Sequence, residues 1–402
     1  MRSIVAVTSE MDDARKAVEE LLAQIESKRP LDKNSCGFVY CDVEMEHESF
    51  LTVLREKLPF EIVGCTSIAT FDTENGARIM SAVLVVLTAD DVQFSVALTD
   101  PLDQGNLRNE LSRAYDKTVA EIGEPGKLLF LIPPFNDTIP LDEYIDILSE
   151  LSGDIPIFGG LPSSNIADGD ILMYANGRAF ADRAAIVLVG GNVRPLFSVQ
   201  NVLSTFSEQK STVTQAEKNV IYKVGDMTFV DHLRSIGLLV DELISQGDLA
   251  VYVSTPLKVN LNKNDNNDGI PVVRTIKTLN PEDGSGVLFG AISEGSTISI
   301  ATMKRQDIQD SCRQAIQDIL SKINANQDED YSYTTLLCVS CGGRYMVMAD
   351  DKDVEGNILV ENLPKNLTLS GFYAYGEICP TIVRDGKAVN RIHNESIVMC
   401  AL

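Results

Sequence analysis

Ile62-Val-Gly-Cys65 and Ile157-Phe-Gly-Gly160 stand 95 positions apart, and the same order of elements surrounds each of them. Ahead of the first lie a helix-period segment from about Asp12 to Lys28, a strand-like run Ser35–Cys41, and a second helical segment from Glu46 to Leu58. Ahead of the second lie a helix from about Asp103 to Ile122, the run Lys127–Ile132, and a helix near Leu141–Leu151. In the first of these helices Ala14, Val18, Leu21, Leu22 and Ile25 fall on one face, the spacing of a helix packed on a sheet. Behind each glycine run come further strands, and Ser81-Ala-Val-Leu-Val-Val86 resembles Ala184-Ala-Ile-Val-Leu-Val189. Recurrence of a whole supersecondary unit signals internal duplication.

The half-units span about 1–100 and 101–205. Strand–helix alternation gives way in each to paired strands, Met80–Thr88 with Val92–Thr99 in the first. That favours a mixed sheet over a doubly wound parallel one. The expected fold is α/β (α+β): a mixed-sheet sandwich flanked by helices, in two lobes, with the N-terminal lobe internally duplicated. A chain of 402 residues is too long for one ordinary core. The lobes are expected at 1–235 and 236–402, with the seam in Ser235–Asp248.

Beyond Ser211 the texture becomes strand-rich: Asn219–Val224, Leu249–Val259, Pro271–Thr278, Gly286–Ala291 and Thr297–Ala301. A helix follows with the apolar stripe Ile308, Cys312, Ala315, Ile316, Ile319 and Ile323. Then come Tyr333–Cys341, a short helix or loop after Val354, and two closing strands. The first of these carries Gly371-Phe-Tyr-Ala-Tyr-Gly-Glu-Ile378 and the second Ile392-His-Asn-Glu395.

Composition narrows the function. The chain has 34 basic and 58 acidic side chains, a net charge of −24. Nucleic acid and anionic membranes demand basic patches, so neither is an expected partner. No apolar run approaches the roughly 20 residues of a membrane span. Met1–Thr8 is too short, and too quickly followed by Glu10, Asp12 and Asp13, for a signal peptide. Eight scattered cysteines then read as free thiols in a reducing compartment, the cytoplasm.

Several motifs fail on inspection. Asn264-x-Asn266-x-Asp268-Gly269 opens like a calcium loop, but Thr275 occupies the position that needs a bidentate Glu. Cys338 and Cys341 have metal-ligand spacing without a second pair, and positions three apart on a strand face opposite sides. No metal and no cofactor is expected, and no nucleotide-binding loop or Gly-x-Ser-x-Gly elbow occurs. Among the three histidines, His47 and His232 lie on helical segments, and His393 alone has pocket-like surroundings.

A binding constellation remains. Arg344 can hold a carboxylate in a bidentate fork, and Glu377 can accept from an ammonium. Tyr373 and Tyr375 can line the site, and Asn394 can donate and accept. Arg344 and Glu377 can equally pair with each other. Cys341, with Gly342, Gly343 and Arg344 after it, is the candidate thiol, because a neighbouring guanidinium favours the thiolate.

Gly371-Phe-Tyr-Ala-Tyr-Gly-Glu-Ile378, His393-Asn394 and Cys341-Gly-Gly-Arg344 together resemble the C-terminal half of the FIST domain. Gly64-Cys-Thr-Ser67, Val213-Thr214 and Asn219-Val-Ile-Tyr222 resemble its N-terminal half. Two places depart from that pattern: Ile68-Ala-Thr-Phe71 follows the glycine–cysteine element, and the closing element is Asn394-Glu-Ser396. The resemblance implies a sensory domain of signal transduction that binds a small ligand such as an amino acid. Its expected ligand-binding residues are Arg344, Glu377, Tyr373, Tyr375, Asn394, His393, Cys341 and Gly343, with a signalling protein as further partner. The alternative is an enzyme acting on a small metabolite through Cys341 or His393.

Overall fold

The computed structural model describes residues 1–28, 30–135, 138–164, 169–201, 210–238, 240–241, 244, 249–262 and 269–402. Asn136, the loop segment 263–268 and most of the 239–248 stretch lie outside the described residues. The calcium-like run and the lobe seam read there in the sequence are therefore left aside.

The duplication is present, and a third copy accompanies it. The first unit runs β1 (Arg2–Thr8), α1 (Ala14–Ser27), β2 (Asn34–Cys41), α2 (His47–Lys57), β3 (Ile62–Thr66), a hairpin β4 (Thr70–Asp72) and β5 (Gly76–Arg78), and β6 (Ala82–Ala89). The second repeats that order: β7 (Val92–Leu98), α3 (Leu107–Ile122), β8 (Leu128–Ile132), α4 (Leu141–Ser152), β9 (Ile157–Gly160), the hairpin β10 (Met173–Ala175) and β11 (Arg178–Phe180), and β12 (Ala185–Gly191). The third begins with β13 (Leu196–Asn201) and is then interrupted.

The interruption is an inserted body. It comprises β14 (Ser211–Glu217), β15 (Val220–Val224), β16 (Met227–Thr228), α5 (Phe229–Ser235), α6 (Leu249–Ser254), β17 (Leu257–Asn260), β18 (Val272–Arg274), β19 (Ile276–Leu279), β20 (Gly286–Leu288) and β21 (Thr297–Ile300). The third unit then resumes with α7 (Arg305–Asn326), β22 (Thr335–Cys341), α8 (Gly342–Met348), α9 (Val354–Asn362), β23 (Thr368–Ala374), the hairpin β24 (Glu377–Arg384) and β25 (Lys387–His393), and β26 (Ser396–Ala401).

Each unit builds most of one mixed sheet. Its middle is the parallel pair β2/β3, β8/β9 or β22/β23, flanked by antiparallel β6, β12 or β26 and an edge strand β1, β7 or β13. The hairpins are exchanged in a ring. β10–β11 of the second unit completes the first sheet, β24–β25 of the third completes the second, and β4–β5 of the first completes the third. The inner faces of the three sheets share one core, where Phe38, Tyr40, Phe130, Phe158, Phe197 and Phe372 meet. Helices α1 and α2, α3 and α4, and α7 and α9 cover the outer faces.

One glycine per unit marks the tightest approach. Gly64, Gly159 and Gly371 lie opposite Val39, Leu131 and Cys338 on the neighbouring parallel strand. At each, a Cβ would collide with that neighbour's backbone carbonyl. This explains why glycine recurs at the same register in all three units.

Three local expectations change. Leu249–Val259 was expected as a strand, yet it is α6 followed by β17. An apolar run without clear period reads either way, and Pro256 disfavours helix at the residue before it. The aromatic stretch divides at Tyr375-Gly376, where Gly376 has φ +143°, and its two parts belong to different sheets. Asn394-Glu395 forms the turn between β25 and β26, with Glu395 in the left-handed region at φ 54°.

Gly371→Ala is expected to destabilise the protein by about 2 kcal/mol or more, the upper part of the overpacking range, because the obstacle is backbone. Chemical denaturation of the variant checks this, with Gly64→Ala and Gly159→Ala behaving alike.

Candidate functional site

In sheets with parallel strands, ligands bind beyond the carboxyl ends. At that edge of the third unit, Cys341 closes β22 and Gly342-Gly343 open α8. Tyr375-Gly376 leave β23, Glu377 starts β24, and the 394–395 turn leads into β26. The inserted body arrives at the same place. Its sheet begins with β18 and ends with β19, which are two parts of one run broken at Thr275. At that break it grips the core. The Thr275 backbone N–H donates to Asn394 Oδ1 (3.2 Å) and its hydroxyl to Glu395 Oε1 (2.6 Å). The adjacent Arg274, 2% exposed, donates to the Ile392 carbonyl (3.3 Å) and pairs with Asp142 of α4 (3.4 Å).

Between the two bodies lies a cavity of about 30 Å³, walled by Val253, Thr275 and Phe289 on one side and Cys341, Tyr375 and Asn394 on the other. Two carboxyl groups lie behind the wall that Cys341 and Gly343 form, both acting on the Cys341 thiol and Glu395 crowding Gly343. Glu377 is wholly buried, and its Oε2 accepts from the Ser396 N–H (3.2 Å) and hydroxyl (2.7 Å). Its Oε1 has no partner among the described residues. Glu395 Oε2 is likewise buried without one. Gly343 is glycine because a Cβ there would strike the Glu395 carboxylate.

Burial sets the protonation. It drives the Glu377 carboxyl well above its ordinary range, against the pull of the Ser396 hydrogen bonds. It raises Glu395 from 4.5 to about 7, against the Thr275 bond and the Arg344 charge. Burial, then the charges of Glu377 and Glu395, push the Cys341 thiol well up, so the thiol form is favoured. The expected activation of this cysteine by Arg344 is absent from these influences.

The remaining sequence-expected residues divide between this cavity and the core. Arg344 turns inward and pairs with Glu355, both fully buried. Its Nε donates to Glu355 Oε1 (3.0 Å), Nη1 to Ser311 Oγ (2.9 Å) and Nη2 to the Ile308 carbonyl (3.1 Å) and to Glu355. All three guanidinium nitrogens are thus engaged, and Glu377 is not among their partners. Tyr373 joins the same network, donating to Glu355 Oε2 (3.1 Å). Tyr375 lines the cavity, its hydroxyl donating to the Ser164 carbonyl (2.5 Å). His393 is buried, with Nε2 at 2.9 Å from the Cys379 carbonyl. Asn394 lines the cavity and donates to the His393 carbonyl (3.0 Å).

Sequence reasoning missed Glu355, Glu395, Thr275 and Phe289. Glu355 and Glu395 are two among 58 acidic residues. A faint signal was available for Glu395, a carboxylate inside an otherwise apolar C-terminal stretch.

Because the folded state holds the Glu395 proton longer than the unfolded chain, stability falls as pH rises from about 4.5 to about 7 and carries the full penalty above that. The shift corresponds to about 3 kcal/mol. Glu395→Gln keeps an acceptor for Thr275 and removes the titration. It is expected to be the more stable protein at pH 8, with the advantage vanishing below pH 4.5; melting temperatures across pH measure this.

Comparison with protein families matches residues 35–227 to the FIST N domain and residues 238–380 to the FIST C domain. No curated protein matches. Among solved structures, the cyanuric acid hydrolase from A. caulinodans is 11% identical, with 100% of this chain and 99% of that one covered and a TM-score of 0.37. A second cyanuric acid hydrolase structure gives 8% identity, 75% and 99% coverage and a TM-score of 0.30. A chorismatase gives 9%, 92% and 94%, and 0.36.

Proposed function

From the premise that the chain belongs to the FIST family, whose domains serve sensory roles in signal transduction, we propose that it senses a small polar ligand at the cavity between insert and core. The observation that carries this reading is the pair of buried carboxyl oxygens without partners, Glu377 Oε1 and Glu395 Oε2. An unmade hydrogen bond at a buried polar atom costs about 1–3 kcal/mol. Glu395, its pKa raised to about 7, meets a cationic donor as the carboxylate, while Glu377, kept protonated by burial, offers its O–H. An ammonium group offers three donors. The ligand is therefore an amine, and an amino acid presented by its amino end is the leading case.

Binding converts Glu395 to the carboxylate and releases a proton below pH 7. The charge of Arg344, held by Glu355, assists that ionisation from behind. The cavity has room for about two water-sized groups, enough for the ammonium and its nearest carbon. A larger ligand displaces the insert by loosening Thr275 from Asn394 and Glu395. Movement of the insert is then the signal presented to a partner protein. The eight cysteines, all free and buried, support a reducing, cytoplasmic setting. Among the described residues no helix is long and apolar enough to cross a membrane.

Thiol catalysis is the weaker reading, because the thiolate of Cys341 is disfavoured by burial and by two carboxyl neighbours. Calorimetric titration at pH 6 with amino acids and simple primary amines tests the sensor. Saturable binding is expected, with a buffer-dependent heat reporting proton release, and Glu395→Gln is expected to weaken it roughly tenfold or more. Equal affinity in Glu395→Gln, or no amine that binds, sinks the assignment.

A further inference from the structure

Asp142 and Glu143 of α4 meet the inserted body through cations, Arg274 (3.4 Å) and Lys218 (2.9 Å), so their charges favour docking. Glu395 meets the insert differently. Its Oε1 accepts from the Thr275 hydroxyl (2.6 Å), and its Oε2 is buried without a hydrogen-bond partner among the described residues. The residue is 1% exposed. The insert supplies part of that cover, since Val253 of α6 and the Glu395 carboxylate crowd Gly343 together. The Glu395 backbone stands at φ 54°, a left-handed conformation that a non-glycine residue adopts at a cost. From the core it is faced by Arg344 of α8, whose charge favours the carboxylate, and by the Cys341 thiol of β22, which hydrogen-bonds to it. Glu377 of β24 lies close enough to feel its charge and is kept protonated by burial. His393 of β25, two residues away, turns Nε2 to the Cys379 carbonyl. From the insert come the uncharged Thr275 and Val253, while Arg274 is turned to Asp142 and the Ile392 carbonyl.

We propose that Glu395 is a proton-operated latch for the inserted body: loss of its proton lifts the insert from the core, and its return closes the insert over the cavity. A charge held under the insert lacks both water and a hydrogen-bonded cation, and that desolvation is relieved only when the cover lifts. The protonated carboxyl carries no such penalty, and the grip of Thr275 on Asn394 and Glu395 holds. Arg344 does not cancel the penalty, because its three guanidinium nitrogens are engaged by Glu355, Ser311 and the Ile308 carbonyl. Against that charge, burial still holds the Glu395 carboxyl at about 7. The docked state therefore keeps the proton to a higher pH than the lifted state does. Docking is firmest below pH 4.5, weakens as pH rises toward 7, and is weakest above it. The latch rests on the same cavity as the sensing reading and adds control by protons of entry to it.

Hydrogen exchange of the whole protein, corrected for its intrinsic pH dependence, is followed from about pH 5 to about pH 8 in the parent and in Glu395→Gln, with no amine present. Peptides of β17, β18 and β19 are expected to exchange through an opening well short of global unfolding, faster than peptides of β8 and β22. The equilibrium constant of that opening is expected to rise roughly tenfold or more over this range in the parent and to stay level in Glu395→Gln. Thr275→Val removes the grip and keeps the titrating group, and is expected to raise the opening severalfold at the acid end. The latch is refuted if the opening stays level in the parent, if it rises equally in Glu395→Gln, or if Thr275→Val leaves it unchanged. It is also refuted if insert and core exchange together as one unit, because the penalty then belongs to global unfolding. Failure of these measurements leaves amine binding standing, and absence of amine binding leaves the latch standing.

Discussion

Every sheet in the core depends on a hairpin that another unit supplies. Backbone N–H and C=O groups at a sheet edge must find partners when buried. Here β3, β9 and β23 each find them on a hairpin from elsewhere in the ring. None of the three units can therefore complete its sheet alone, and the common core of Phe38, Phe130 and Phe372 closes only when all three are in place. The carboxyl cavity inherits this dependence. Glu377 begins a strand that pairs with β9 of the second unit, while Cys341 ends a strand of the third.

Three glutamates of the third unit show how environment decides what a carboxyl group does. Glu355 is buried against Arg344, with Ser340 and Tyr373 on its other oxygen. Such a pair gives little net stability, but removing one partner typically costs about 3–5 kcal/mol. Glu377 and Glu395 are equally buried, and no cation hydrogen-bonds to either among the described residues. Their charge is suppressed instead. The difference separates a carboxylate held charged by a cation from carboxyls that burial keeps protonated.

The duplicated half was legible because glycine runs and helix stripes recur at a fixed offset, as Ile62–Cys65 and Ile157–Gly160 do. The third copy was hidden by its insert. Its β13 and α7 are separated by about a hundred residues of unrelated texture, and its glycine, Gly371, stands in an aromatic context unlike the other two. The site was half legible. Cys341, Tyr375, Glu377 and Asn394 gather at one edge, as their composition suggested. Arg344 does not reach that cavity, because pairing across space with Glu355 leaves no mark in local pattern. Thr275 was invisible for a similar reason: its importance comes from where a strand run breaks, not from its residue type.

The ring of exchanged hairpins also sets a timetable for synthesis. Thr73, at the tip of the first hairpin, bonds to Leu369, 296 residues later. At typical elongation rates of about 5–20 residues per second, that partner emerges some 15–60 s after the hairpin does. During this interval the outer edge of β4 and, once it is made, the open flank of β9 remain unpaired. The nascent chain carries these open strand edges until residues 368–384 are made, so the topology leaves them exposed to other chains for that long.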